Sequence, residues 1–128
     1  MEKKKNNTTV VDISLLIEET FEYLASVQIV VPNPEEVRDY LGRYPDIIEL
    51  VMFACEETRS HFILPTQLSL ELYRDPEIGD EYLTLYVRQK EYDESIMDVI
   101  EEIWSTYDDE LSTKQGDFFV TTDFDFPR

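Results

Sequence analysis

The sequence predicts an α+β fold: three N-terminal helices, a β-hairpin, a long acidic helix and a final strand, with the strands forming a small three-stranded sheet on which the helices pack. Apolar residues recur every three or four positions in the N-terminal half, which indicates helices, and alternate with polar residues in two central stretches, which indicates strands. Hydrophobic residues make up 42% of the 128 residues, enough for one core. We therefore expect a single α+β domain over residues 10–128, preceded by a disordered tail over residues 1–9.

The first helix is predicted over residues 12–26. Its apolar side chains form one stripe, and Asp12 is a residue type favoured at the N-cap. The apolar segment that follows, residues 27–31, fits either a small buried strand or an extended crossover. The residues of the helical stripe are Ile13, Leu16, Ile17, Phe21 and Leu24.

Prolines separate the next two helices. Asn33 is placed to cap the second helix, and Pro34 suits its first turn because a backbone N–H has no helical partner there. Pro45 ends this helix, since the residue before a proline avoids helical torsions. The same proline opens a third helix, predicted over residues 45–62.

The two strands of a β-hairpin are predicted over residues 68–73 and 82–88. In both, leucine or valine alternates with polar or aromatic residues, so that one face of the hairpin is apolar. The connecting turn is acidic, but its carboxylates match only part of the spacing of a calcium-binding loop. We interpret it as a chain reversal, with a weak cation site as the alternative. The acids of this turn are Asp75, Glu77, Asp80 and Glu81.

A fourth helix is predicted over residues 94–110 with Asp93 as its N-cap, and a last strand over residues 118–122. We expect Trp104, which lies on the apolar stripe of this helix, to face the core. Residues 93–110 include eight acids and no Lys or Arg. Such charge indicates a solvated face, a docking site for a basic partner or a mimic of DNA phosphates. The acids predicted to bind a partner are Glu94, Asp98, Glu101 and Glu102.

The face of the hairpin opposite its leucines is rich in tyrosine. If the leucines point into the core, Tyr73, Tyr82 and Tyr86 share the outer face with Arg88. Tyrosine and arginine dominate the energetics of many protein interfaces because they combine a large contact area with a polar group. These four residues are therefore predicted to bind a partner protein or a second copy of the chain. The alternative is that the N-terminal helices cover this face.

Composition excludes several classes of function. The 29 acidic and 11 basic residues give a net charge of −18, which opposes direct binding to nucleic acid or to an anionic membrane. The one cysteine, Cys55, allows neither an intramolecular disulfide nor a multi-cysteine zinc site. It also lies about 120° around the third helix from His61, which opposes a catalytic pair. With no apolar run long enough to span a bilayer, elimination predicts a cytoplasmic protein.

These observations predict a non-enzymatic interaction or accessory protein. Its working surfaces would be the tyrosine face and the acidic helix, and a homodimer through the tyrosine face is possible on the same grounds. We expect no cofactor and no metal. Two alternatives remain open: an acidic, antitoxin-like inhibitor that neutralises a basic nucleic-acid-binding protein, and a metal-dependent hydrolase that uses clustered carboxylates.

Overall fold

The elements follow the predicted order of three helices, two strands, a helix and a strand, with one short strand added. The computed structural model describes residues 12–128, so the tail predicted over residues 1–9 lies outside the described part of the chain. The α+β class is confirmed. The helices are α1 (Ile13–Ser26), α2 (Pro34–Arg43), α3 (Ile48–His61) and α4 (Ile96–Leu111), and the strands are β1 (Ile29–Val30), β2 (Gln67–Arg74), β3 (Glu81–Arg88) and β4 (Phe118–Thr121).

The sheet has four strands, so the prediction of three was wrong. The strand order is β1-β2-β3-β4, with β2 and β3 antiparallel and with β1 and β4 each parallel to its neighbour. The added strand, β1, has only two residues, and Ile29 pairs with Leu68 of β2. Two residues cannot produce an alternating pattern, which is why the sequence left this segment open between a strand and a crossover.

The structure confirms the predicted starts of α1 and α2 and shifts those of α3 and α4. Asp12 caps α1 as predicted, since its carboxylate accepts the Leu15 N–H at 3.2 Å, whereas the Asn33 side chain makes no capping hydrogen bond to α2. A turn of 3₁₀ helix, Pro45–Ile47, precedes α3. The Asp93 carboxylate accepts hydrogen bonds from the backbone and hydroxyl of Ser95, which forms a turn, so that α4 begins later than predicted.

The leucines of the hairpin point into the core, as their alternation predicts. Leu68, Leu70, Leu83, Leu85 and Val87 are fully buried and belong to one cluster with apolar residues of α1, α2, α3 and α4. The tyrosines occupy the opposite face, because successive side chains of a strand point to opposite sides of the sheet.

Helix α4 lies along the outer edge of β4. The indole N–H of Trp104 donates to the Val120 carbonyl at 2.6 Å, and the Val120 N–H donates to the Tyr107 hydroxyl at 3.2 Å. The backbone N–H and carbonyl of Val120, which point away from β3, therefore both have hydrogen-bond partners on α4. The helix protects the strand edge and brings its tryptophan to the rim of the sheet face that carries the tyrosines.

Candidate functional site

Four aromatic rings form a continuous strip across the tyrosine face, and we call them the aromatic strip. The ring centroids lie 5.1 Å apart between Tyr73 and Tyr82, 5.5 Å between Tyr82 and Phe119, and 6.0 Å between Phe119 and Trp104. The strip thus crosses β2, β3 and β4 and ends on α4. Tyr73 is 36% exposed and Phe119 is 42% exposed, so the helices do not cover this face.

A groove of about 430 Å³ follows the aromatic strip. Its walls are aromatic, and the hydroxyl-bearing side chains of Thr84 and Thr121 complete its lining. Thr84 lies opposite Phe119 in the pairing of β3 with β4, so it occupies the middle of the sheet face. The residues that line the groove are Tyr73, Tyr82, Thr84, Tyr86, Trp104, Phe119 and Thr121.

The Thr84 hydroxyl is the one buried side-chain polar group without a hydrogen-bond partner in the described residues. The side chain is 1% exposed and belongs to the groove lining. A buried hydroxyl without a partner costs about 1–3 kcal/mol relative to a hydrogen-bonded one. The free protein carries this cost at the centre of its open sheet face.

Arg88 lies on the predicted face but is not available to a partner. It is 1% exposed, and its guanidinium donates to Glu71 at 3.1 Å and, through two nitrogens, to Asp123 at 3.1 and 2.8 Å. The guanidinium carbon also lies 4.6 Å from the centre of the Tyr86 ring. We therefore remove Arg88 from the predicted contact residues. The sequence could not show that two distant carboxylates occupy it.

The C-terminal segment after β4 holds Arg88 in place. The hydrogen bond from Arg88 lowers the pKa of the Asp123 carboxyl below its ordinary value. The ring of Phe124 packs 5.1 Å from that of Tyr92, and the side chain of Gln67 exchanges two hydrogen bonds with the backbone of Arg128. The segment packs on one end of the sheet and leaves the aromatic strip open.

Of the predicted acids on the fourth helix, helical spacing places one, Glu101, beside Trp104 of the aromatic strip. Glu101 lies three residues before Trp104, and Asp108 lies four residues after it, so both are surface neighbours of the indole. Asp98 and Glu102 are exposed but point about 120° and 160° away around the helix. Glu94 is exposed in the turn before α4. Asp108 was not among the predicted contact residues.

The groove lies in a field of negative charge. Burial raises the pKa of Tyr82, and Tyr73 and the carboxylates of Asp117 and Asp75 raise it further. Burial also raises the pKa of Tyr86, as do the Glu71 and Asp123 carboxylates, which outweigh the opposite effect of Arg88. Both phenols therefore stay neutral at physiological pH, and the surroundings favour a ligand of positive charge.

Sequence reasoning missed Trp104 and Phe119 as members of this surface. Trp104 was assigned to the core because it lies on the apolar stripe of its helix, and it is in fact half-buried at the edge of β4. Phe119 alternates with two buried residues, Phe118 and Val120, which was the available signal that it faces outward.

The acidic turn reverses the chain and uses its carboxylates to do so. Asp75 accepts the backbone N–H groups of Glu77 and Ile78 at 2.8 and 3.3 Å, and Gly79 adopts a positive φ of 79°. The Glu81 carboxylate is shared by two arginines at 2.6 and 3.0 Å. Residues 12–128 contain no group of three or more His, Cys, Asp and Glu side chains arranged to hold a metal ion.

The third helix carries no catalytic pair of cysteine and histidine. Cys55 is fully buried, and this burial raises the pKa of its thiol to about 12, so the thiol is protonated at physiological pH. His61 is exposed at the end of the same helix, 3.9 Å from the Glu57 carboxylate. The separation that the helical geometry predicts is confirmed.

None of the helices within residues 12–128 has the length and apolar character needed to cross a bilayer. Comparison of the chain with protein-family models, with curated proteins and with solved structures finds no significant match.

Proposed function

We propose that this protein is a non-enzymatic interaction protein that docks a partner protein on its aromatic strip, with the neighbouring acids of α4 contacting basic groups of that partner. The observation that carries the proposal is the groove along the strip, with the unpartnered Thr84 hydroxyl buried in its lining. A sheet face that served folding alone would gain from a helix across it or from polar side chains in place of exposed rings.

The chemistry of the strip suits a protein ligand. Aromatic rings bury a large area at a small cost in side-chain entropy, and they are enriched among the residues that dominate binding energy. Neighbouring rings at 5.1–6.0 Å support one another, so little ordering is needed when a partner arrives.

Charge favours a basic partner over a second copy of the chain. Two copies would bring two net charges of −18 together, with an acidic helix at the rim of each strip. Like charges across an interface oppose association, whereas a basic partner gains both attraction and faster encounter. We therefore propose a basic partner protein in preference to a homodimer.

The proposal is tested by comparing partner capture from the native host by three forms of the protein. Phe119→Ser removes one ring of the strip, and Phe53→Ser removes an equally exposed ring from α3; the two side chains are 42% and 43% exposed. We expect the wild type and Phe53→Ser to retain the same protein and Phe119→Ser to lose it. Equal capture by all three forms, or loss of the protein by Phe53→Ser alone, would contradict the proposal.

A second candidate function is the neutralisation of a basic nucleic-acid-binding protein by α4. The exposed acids of this helix, with no Lys or Arg in its sequence, favour it. Binding by charge alone predicts a complex that dissociates steeply as salt is added and that tolerates Phe119→Ser. Docking on the aromatic strip predicts a complex that survives moderate salt and does not tolerate this substitution.

We do not propose the hydrolase alternative, because no observation supports it. Residues 12–128 hold no group of three or more acids, histidines and cysteines arranged for a metal ion, and two of the four acids of the turn, Asp75 and Glu81, are engaged with backbone N–H groups or arginines. A hydrolytic site needs carboxylates that converge in one cleft.

A further inference from the structure

We infer that the groove along the aromatic strip is a seat for an arginine side chain of the partner, with the guanidinium stacked on the rings and hydrogen-bonded at its edge. This inference rests on the proposed function and specifies the group that the site recognises. It follows from three features of the described residues: how the chain places its own arginines, what lines the groove, and which charges surround it.

The chain repeatedly places its own arginines over aromatic rings. The guanidinium carbon of Arg38 lies 4.2 Å from the centre of the Phe21 ring, and that of Arg88 lies 4.6 Å from the centre of Tyr86. Arg43 lies over two rings, with its guanidinium carbon 5.4 Å from the centre of Tyr40 and 5.6 Å from that of Tyr44. Three of the six arginines thus make cation–π contacts. The rings of the aromatic strip hold none of them among residues 12–128.

The contacts of Arg88 show how this face of the sheet binds a guanidinium. It has an aromatic ring beneath it, Tyr86, and carboxylates at its edge, Glu71 and Asp123. Along β3 toward Tyr82, the rings of the strip replace Tyr86, and the carboxylates of Asp117 and Asp75 act electrostatically on Tyr82. Arg88 is buried because the C-terminal segment closes over it, whereas the second position stays open to solvent.

The groove supplies acceptors, and the one guanidinium that the described residues place over a lining ring, that of Arg88 over Tyr86, is already paired with Glu71 and Asp123. A guanidinium has five N–H donors and no acceptor, and the side chains of Tyr73, Tyr82 and Thr121, which line the groove, carry hydroxyl oxygens that can accept. Glu101 and Asp108 are exposed on α4 at the helical spacings, three and four residues, that place them beside Trp104. No lysine or arginine of residues 12–128 lines the groove. An arginine would stack on the rings and donate hydrogen bonds to hydroxyl and carboxylate oxygens at the groove.

Arginine suits this groove better than lysine. The guanidinium is planar, stacks on aromatic faces and is more weakly hydrated than an ammonium group, so it loses less on entering a groove between rings. A lysine ammonium would keep its hydration and contact the acids at the rim. Arginine is therefore expected to bind more tightly than lysine at equal charge.

The test uses three acetylated, amidated pentapeptides that differ only in the central residue of Gly-Gly-X-Gly-Gly: arginine, lysine or citrulline, the neutral analogue of arginine. Trp104 is the only tryptophan of the chain and lines the groove, so its fluorescence reports occupancy. We expect the arginine peptide to change this signal saturably and to bind at least about fivefold more tightly than the citrulline peptide. The lysine peptide should fall between them.

Two pairs of variants locate the proposed arginine-binding site. Phe119→Ser is expected to weaken arginine-peptide binding about fivefold, whereas Phe53→Ser on α3 should leave it unchanged. Neutralising Glu101 and Asp108 together, as Glu101→Gln and Asp108→Asn, should weaken arginine-peptide binding by a similar factor. It should not make the salt dependence of that binding steeper. The matched control, Glu19→Gln with Glu22→Gln on α1, makes the same change in net charge and should have no effect.

Three results would overturn the inference: equal binding of arginine and citrulline peptides, no response of Trp104 to any peptide, or an equal effect of both neutralised pairs. These results leave the proposed function standing if Phe119→Ser still abolishes partner capture, because the partner then uses the strip without an arginine. Retained capture by Phe119→Ser would instead contradict the proposed function itself.

Discussion

Replacing Thr84 by valine should stabilise the protein. The side chain is 1% exposed, and its hydroxyl has no hydrogen-bond partner, so the free protein has lost the hydration of this group without compensation. Valine has nearly the same shape, suits a β-strand and carries no polar atom. The desolvation cost of about 1–3 kcal/mol should be largely recovered, which raises the free energy of unfolding by about 1–2 kcal/mol. At this chain length the midpoint of thermal unfolding should rise by roughly 4–7 °C.

Urea unfolding followed by circular dichroism measures this change, and Thr58→Val is its matched control. Thr58 is equally buried, but its hydroxyl donates to the Ala54 carbonyl at 2.7 Å. Because this substitution removes a satisfied hydrogen bond, it should destabilise the protein by about 1 kcal/mol. Loss of stability on Thr84→Val, to the same extent as on Thr58→Val, would refute the reasoning. It would mean that the Thr84 hydroxyl is hydrogen-bonded in the free protein.

Three further predictions test the packing and hydrogen bonds around the sheet that carries the tyrosine face. Tyr107→Phe should destabilise the protein by about 1–3 kcal/mol in urea unfolding, because it leaves a buried strand N–H without its acceptor, and an unchanged midpoint would contradict that role. Arg88 lowers the pKa of Asp123, so the contribution of this carboxylate to stability is present above its unfolded-state pKa of 3.8 and is lost as the pH falls through its folded-state pKa. Asp123→Asn should therefore flatten this part of the stability–pH profile. An unaltered profile would count against the ion pair. Gly116→Ala should lower the free energy of unfolding by about 1–3 kcal/mol, because a Cβ there would lie 2.8 Å from the Cβ of Tyr44. Gly42→Ala should raise it by about 0.5–1 kcal/mol, because a Cβ on this helical glycine meets nothing within 4 Å. Equal effects of the two substitutions would be inconsistent with the packing described.

The hairpin was predictable because its pattern is local. Leucines at every second position of β2 and β3 place the tyrosines on the opposite face whatever the rest of the fold does. Leu68, Leu70, Leu83 and Leu85 are fully buried, and Tyr73 is partly exposed, as this reasoning requires. The class of the fold and the order of its elements follow from the same kind of local periodicity.

Features that depend on contacts between distant parts of the chain were not predictable. Arg88 lies on the predicted face but is buried because Asp123, 35 residues later, folds back to pair with it. Trp104 follows the apolar period of α4, and only the position of that helix beside β4 turns the indole toward the sheet face. The two-residue strand β1 exists because β2 offers it a free edge.

Site-specific crosslinking in the native host tests the central claim most directly. A photoreactive phenylalanine analogue is placed at position 119 or at position 53, where the native side chains are almost equally exposed, at 42% and 43%. If the aromatic strip is the working surface, a discrete crosslinked protein forms from position 119 and not from position 53. A discrete crosslink from position 53, with none from position 119, would contradict the account.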